Sequence, residues 1–405
     1  MKIGLVLVSM LFSFTVLSQD LTDTKFGKGL YNVMSKDSSW SMKFGMRIQS
    51  LYEGEWSIND STGFGQGTSN FLIRRARLKF GGHAFSPKLQ YKIELGLSNR
   101  DLGKADSRTN FAPRMILDAV VKWNFYKNFT LWAGQTKLPG NRERVVSSAN
   151  LQLVDRSLLN SYFNIDRDMG MQLRHHFTLG KNFLIREIIS VAQGEGRNLV
   201  QDNLGGMQYT GRLEFLPMGS FASKGDYVGG ATKFEETPKL ALGIAFDYND
   251  RSVKTRANQG SYMSYDTDLD GSIDGYFMSS TSTIFADVMF KYKGFSMMVE
   301  YAWRDADKVN HEIINDDLSV TTASVSVGSG VNVQAGYNFK KNWEIAGRFT
   351  QIAPTGKSQY EQYTLGLSKY VVGHKLKVQS DLSYRKTNNS PDSGLLYRLQ
   401  FELHF

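Results

Sequence analysis

From about residue 40 to the C-terminus, apolar and polar residues alternate one for one in segment after segment. In the last of these, Leu395, Tyr397, Leu399, Phe401, Leu403 and Phe405 interleave with Leu396, Arg398, Gln400, Glu402 and His404. In the first, Met42, Phe44, Met46 and Ile48 interleave with Lys43, Gly45, Arg47 and Gln49. Leu240, Leu242, Ile244, Phe246 and Tyr248 repeat the pattern mid-chain. Side chains of a strand point alternately to its two faces, so each segment sets one face on apolar surroundings and the other on water.

The segments run to about 10–17 residues, whereas strands of soluble sheets have about 5–6. A tilted strand that crosses a bilayer needs about 9–11. The alternation predicts 16 strands over residues 40–58, 70–86, 88–99, 114–126, 129–137, 166–178, 182–194, 206–217, 238–250, 278–292, 295–305, 328–340, 343–352, 359–371, 375–386 and 394–405. Connections alternate between short turns such as Ser86-Pro87-Lys88 and Lys293-Gly294 and long loops near 100–113, 138–165, 251–277 and 306–327. Aromatic residues (Trp40, Trp123, Tyr126, Trp303, Trp343, Tyr370) sit at segment ends. Short turns on one rim, long loops on the other and aromatic girdles at both interfaces define an all-β, transmembrane antiparallel β-barrel. Residues 218–237 break the rule, being a long connection where a short turn is due.

The N-terminus differs. Lys2 precedes an apolar stretch, Ile3 to Phe14, and Val16-Leu17-Ser18 offers small residues before Gln19. This reads as a signal peptide over 1–18, which directs export to the cell outer membrane. Residues 19–39 form a polar periplasmic lead-in, and 40–405 the barrel domain. After Ser18 no apolar run is long enough for a spanning helix. The chain has no cysteine, which excludes disulfide and thiol chemistry. Its net charge of +9 is carried largely on the water-facing parity of the strands.

In residues 70–80, NFLIRRARLKF, the parity gives Leu72, Ala76, Leu78 and Phe80 to lipid and Arg75, Arg77 and Lys79 to the lumen. Arg74 falls on the lipid parity, where a mid-bilayer charge costs about 2–4 kcal/mol. It is therefore expected near the outer interface, with its head group in water. A strand closed into a barrel gives such a row no access to nucleic acid. Lys122, Arg174 and Arg212 join the luminal cations, and luminal carboxylates include Glu94, Asp118, Asp247, Asp287, Glu300 and Glu344. Rings of Arg and Lys favour anions. Pairing with the carboxylates would instead leave a weakly selective pore. The long 138–165 loop carries Arg142, Arg144 and Arg156 with apolar anchors of its own and is expected to fold inward as a constriction.

A second motif is Asp266-Thr267-Asp268-Leu269-Asp270-Gly271-Ser272-Ile273-Asp274. It matches the start of an EF-hand loop, with Asp266, Asp268, Asp270, Ser272 (through its carbonyl) and Asp274 as candidate Ca2+ ligands. Phe277 replaces the bidentate Glu at position 12, so weak binding is expected. No cofactor is required by any other motif. Catalytic signatures are absent: there is no G-x-S-x-G, H-E-x-x-H or P-loop. His175-His176 point to opposite faces of one strand. In Asp166-Arg167-Asp168 the carboxylates share a face from which Arg167 is expected to point away.

The order FLIRRARLKFGG…PKLQYKIELGLSNRD, LWAGQTKLPGNRERVVSSANLQLVDRSLLN and FNIDRDMGMQL, with a terminal Phe405, resembles the phosphate-selective porin O and P family in its Bacteroidota branch. The resemblance covers almost the whole mature chain. It implies a 16-stranded outer-membrane barrel, a homotrimer, and conduction of small anions such as phosphate or polyphosphate. It also implies that the 138–165 loop enters the pore, whose wall carries an arginine ladder and a lysine cluster. Arg75, Arg77, Lys79, Arg142 and Arg144 fall at positions suited to these. The function so read is passive diffusion of small hydrophilic solutes with an anion preference. The alternatives are a structural or complex-forming barrel with a closed pore, or a barrel enzyme.

Overall fold

The computed structural model describes residues 25–59, 63–103, 105–390 and 392–405. The signal-peptide expectation over 1–18 lies outside these residues. Sixteen antiparallel strands close into a barrel: β1 (Trp40–Asn59), β2 (Thr68–Ala84), β3 (Ser86–Gly96), β4 (Ile116–Tyr126), β5 (Phe129–Lys137), β6 (Arg167–Leu179), β7 (Phe183–Ala192) and β8 (Gln208–Leu216). They continue as β9 (Lys239–Ser252), β10 (Ser279–Tyr292), β11 (Phe295–Ala306), β12 (Gly328–Asn338), β13 (Trp343–Pro354), β14 (Tyr360–Tyr370), β15 (Leu376–Thr387) and β16 (Asp392–His404). Each strand pairs with its sequence neighbour. β1 closes the ring on β16, from Arg47↔His404 to Asn59↔Asp392. Closure leaves no sheet edge unpaired within the bilayer, where an unsatisfied backbone group costs several kcal/mol. Below the end of β16, Tyr31–Met34 of the lead-in pairs with β1 (Tyr31↔Phe44 to Met34↔Ser41).

The outer wall is apolar, as the alternation requires. Trp123, Phe125, Tyr126, Tyr337, Phe339 and Trp343 are exposed near the short turns, and Tyr209, Tyr248 and Trp303 nearer the long loops. These are the interfacial aromatics of a membrane barrel. Short turns mark the periplasmic rim and long loops the external rim.

One register prediction fails. Gln49 pairs with Arg75 and Ser50 with Ile73, so Arg74 is the extra residue of a β-bulge. A bulge adds one residue to one strand and inverts parity beyond it. Phe71 and Ile73 therefore face outward, 82% and 59% exposed. Leu72 moves to the inner face opposite Leu51. Arg74 turns into the lumen, with Nε 2.9 Å and Nη2 2.6 Å from Asp155 Oδ2. The expected position near the lipid interface is thus corrected.

Two segments fill part of the lumen. The 138–165 loop enters from the external rim, carrying the short helices Arg142–Val145 and Leu158–Phe163. Leu138, Leu159, Phe163 and Ile165 pack on Ala245, Phe285, Ala302 and Ile352 of the wall. The alanines on β9 and β11 leave the space these larger side chains occupy, and burying a Leu or Phe contributes about 1.5–3 kcal/mol each. The second segment, the long periplasmic connection after β8, rises to meet the first: the Gly229 amide donates to the Asn150 carbonyl at 2.6 Å.

Candidate functional site

The space left by these insertions lies against β1–β5, β15 and β16. On the external side is a cavity of about 840 Å³ whose lining carries fourteen Lys or Arg side chains against five carboxylates. A second cavity, about 500 Å³, opens beside Phe405 and is lined by Lys43, Lys79, Lys92 and Lys375 with no acidic side chain among its described lining residues. Between them lies a layer of ion pairs. Glu94 is shared by Arg77 at 3.1 Å, which lines the external cavity, and by Lys79 at 3.8 Å and Lys92 at 2.9 Å, which line the inner one. Beside it, Arg47 Nε donates to Glu402 at 2.7 Å.

Strand parity places this wall. Arg47 and Gln49 on β1, Arg75, Arg77 and Lys79 on β2, and Lys92 and Glu94 on β3 all share the inner face of a continuous sheet. A short chain of bonds fixes their angles. Gln49 Nε2 donates to Glu402 at 2.7 Å, and Arg75 Nη1 donates to Gln49 Oε1 at 2.7 Å. Arg77 forks onto Asp101 at 2.7 and 2.6 Å and reaches Ser148 of the inserted loop at 3.3 Å. Arg75 and Arg77 are thus held in place where they line the external cavity, while Arg47 is fully buried behind it.

The loop cations divide. Arg144 and Arg156 line the external cavity, as does Lys137 at the end of β5. Arg144 pairs with Asp166. Lys137 Nζ donates to the Arg144 and Val146 carbonyls at 2.7 and 3.1 Å. Arg156 donates to the Glu143 and Val146 carbonyls, both at 2.9 Å. Among the described residues no carboxylate lies within 4.0 Å of Lys137 Nζ or of the Arg156 guanidinium (Asp155 meets only the Arg156 backbone amide, at 2.9 Å), so their charge is directed at the cavity rather than into an ion pair.

Arg142 and Arg212 sit elsewhere. Arg142 is 0% exposed, with Nε 2.5 Å from Asp287, and Arg212 bonds Glu214 at 2.9 Å and Asp287 at 2.8 Å. Both are enclosed cross-ties between loop and wall rather than faces of a water-filled path. The physical reason is local: β8 and β10 carry carboxylates on their inner faces, and a desolvated arginine is retained only where such partners meet it.

Lys122 and Arg174 lie on strands either side of Trp132, each 3.8 Å from its ring centroid. Arg167, expected to point away from the flanking carboxylates, turns inward to Asp118 at 3.1 Å and comes within 3.7 Å of Asp166. It stands at the first position of β6, where parity is not yet enforced by a paired strand on both sides. Asp168 accepts the Gly194 and Gly196 amides at 3.1 and 3.0 Å, tying a loop to the barrel. His175 faces outward, bonded to Glu187 at 2.9 Å and stacked on Phe129, while His176 lies on the opposite face.

The acidic loop also divides. Carboxylate oxygens of Asp266, Asp268 and Asp274 lie within 4.8 Å of one another, a spacing compatible with one cation. Asp270 instead accepts the Ser272 amide at 2.6 Å, and Asp266 accepts the Gly271 amide at 2.9 Å. Hydrogen bonds of this type close the turn by themselves.

Sequence reading missed Lys137, Asp155, Arg197, Lys254 and Arg256 in the external cavity. Lys137 sits inside the distinctive G-Q-x-K-x-P stretch, which was a usable signal. The others lie on loops, whose inward path no periodicity encodes.

The profile of the family described as "Phosphate-selective porin O and P" matches residues 43–405. The chain belongs to this family. It is an outer-membrane porin, a closed 16-stranded channel. A protein of Aquifex aeolicus (strain VF5), described only as uncharacterised, is 23% identical over 372 residues, covering 83% of this chain and 81% of that one. Solved porins share the fold at low identity. An anion-selective porin from Comamonas acidovorans gives a TM-score of 0.52 at 11% identity, covering 90% of this chain and 100% of that one. The outer membrane channel DcaP of Acinetobacter baumannii gives 0.51 at 13%, covering 92% and 99%. OmpT of Vibrio cholerae, in its trimer form, gives 0.50 at 10%, covering 91% and 100%.

Proposed function

We propose that this porin conducts small anions, phosphate among them, by passive diffusion along the basic side of its lumen. The observation that carries the reading is the pairing state of that wall: the Lys137 and Arg156 side chains meet the external cavity without a carboxylate partner, and of the four lysines that line the inner cavity Lys92 and Lys79 share Glu94 while Lys43 and Lys375 have no acidic side chain within 4.0 Å among the described residues. An excess of fixed positive charge in a narrow wet passage concentrates anions and repels cations. The two cavities supply successive stations of one sign. Transport needs only that each station bind weakly enough to release. A homotrimer is part of the proposal, supported by the likeness in fold to the trimeric Vibrio porin.

Reversal potentials across bilayers in a potassium chloride gradient test it. The unaltered channel is expected to favour chloride over potassium. Lys137→Glu with Arg156→Glu should invert that preference, and phosphate should compete with chloride current. Clear cation preference in the unaltered channel would falsify the reading. Chemical cross-linking of detergent-solubilised protein, read by mass, tests the trimer.

A further inference from the structure

The lumen has two walls of opposite character. Around β1–β6, β15 and β16 it is basic. On β8–β13 it carries Glu214, Asp247, Asp287, Glu300 and Glu344, all buried. Glu214 and Asp287 are matched by arginines, but Glu344 is not. Its oxygens accept from neutral donors, Gln152 Nε2 at 2.8 Å and Tyr370 Oη at 2.5 Å, and among the described residues no cation lies within 4.0 Å. Glu344 stands one residue from the periplasmic end of β13. Without a cover it would meet the inner mouth as a charged carboxylate.

The cover is the anomalous connection 217–238. Phe221 packs on Leu216, Ala241, Met289 and Met298 at its base. Higher up, Lys291 donates to the Val228 carbonyl at 2.7 Å and His374 Nε2 to the Gly229 carbonyl at 2.9 Å. The summit is Gly229-Gly230. A Cβ on Gly229 would lie 2.6 Å from the Gln152 nitrogen, and one on Gly230 would lie 2.7 Å from both Glu344 oxygens. Gly230 also has φ of +67°, which a branched side chain resists. Backbone at Gly230 therefore rests directly on the carboxylate, and a side chain there would have to displace Glu344.

We propose that the periplasmic connection 217–238 is a selectivity determinant: it seats on the acidic wall and keeps Glu344 off the ion path. The selectivity of the pore then comes partly from hidden negative charge, not only from displayed positive charge. This rests on the anion preference proposed above but is tested separately.

Two variants unseat the segment. Gly230→Val clashes with Glu344. Replacing 217–238 by Asn-Gly joins β8 to β9 through a four-residue hairpin loop, Asn-Gly followed by Lys239 and Leu240, and keeps Phe215 opposite Leu242. Heat-modifiable gel migration selects those that have closed their barrel, and the point variant carries the test where the replacement does not assemble. The chloride-to-potassium permeability ratio is expected to fall about threefold in each, with conductance rising, because the uncovered carboxylate attracts cations. Adding Glu344→Gln should recover at least half of that fall, whereas Glu344→Gln alone should leave the ratio unchanged. A merely structural role would not give recovery. An unseated variant with an unchanged ratio, or no recovery with Glu344→Gln, overturns the proposal. If the unaltered porin shows no anion preference, the general reading fails, while this one still stands or falls on the shift toward potassium and its reversal.

Discussion

Arg74 shows how one residue can reverse the meaning of its neighbours. On simple alternation it belongs in lipid, where leucine would suit better. The bulge turns it instead onto Asp155, which also receives Arg75 at 3.2 Å. Arg74→Leu therefore discriminates between the two placements. A lipid-facing arginine would gain stability on this change, whereas the bulged one is expected to lose about 1–3 kcal/mol, the loss of a charge-assisted hydrogen bond. Urea unfolding of the detergent-solubilised barrel reads the sign. A second residue sets a pH dependence. Lys254, in the external ribbon Lys254–Arg256, lines the cavity and donates to the Glu195 carbonyl at 2.5 Å. Desolvation, aided by Arg114, lowers its pKa to about 8. As pH rises through that value the cavity loses a positive charge, so the anion preference should fall between about pH 7 and 9. Lys254→Met should lower the preference at pH 7 and flatten this part of the profile.

At the scale of elements, the strands were legible because each must satisfy lipid on one face and water on the other. Every predicted strand is present, most ends within two residues, since that constraint acts on every position. What alternation cannot encode is an inserted residue, hence the misplacement of Arg74 and Leu72. Nor can it tell which luminal charges will be enclosed. Arg142 and Arg212 obeyed every local rule for pore-facing cations. Asp287, and for Arg142 also Glu214, is brought near only by the fold, so that pairing was invisible, whereas Glu214 two residues after Arg212 on the same face was a readable signal. The long 217–238 connection was visible as an anomaly, but its upward path depends on the two glycines fitting a surface made by other strands. The Arg142 cross-tie now carries a stability prediction. Arg142→Met should destabilise the porin by about 1–3 kcal/mol, because Asp287 loses a charged hydrogen bond while it and Glu214 keep Arg212. A lowered temperature of heat-modifiable unfolding would show it, and an unchanged temperature would place Arg142 outside the framework.

For the molecule as a whole, the barrel is a container and the inserted segments decide which part of it conducts. A 16-stranded ring enclosing water throughout would have a wide lumen bounded by both its basic and its acidic walls. The 138–165 loop removes much of that width on the acidic side. It binds Glu300 through the Glu143 amide at 2.7 Å and Asn141 Nδ2 at 3.3 Å, and it supplies Arg144 and Arg156 to the basic side. Its two roles predict one outcome. Replacing 142–160 by a short Gly-Ser linker should raise single-channel conductance by about twofold or more, since the loop occupies lumen that would otherwise hold water. The same change should reduce the anion preference, because it removes the two cavity-lining arginines, Arg144 and Arg156, and opens Glu300 to the path. Were the barrel wall alone responsible for selectivity, the conductance would rise while the preference held. Bilayer recordings of both quantities on the same channels therefore separate a pore whose selectivity is built by its insertions from one whose wall suffices.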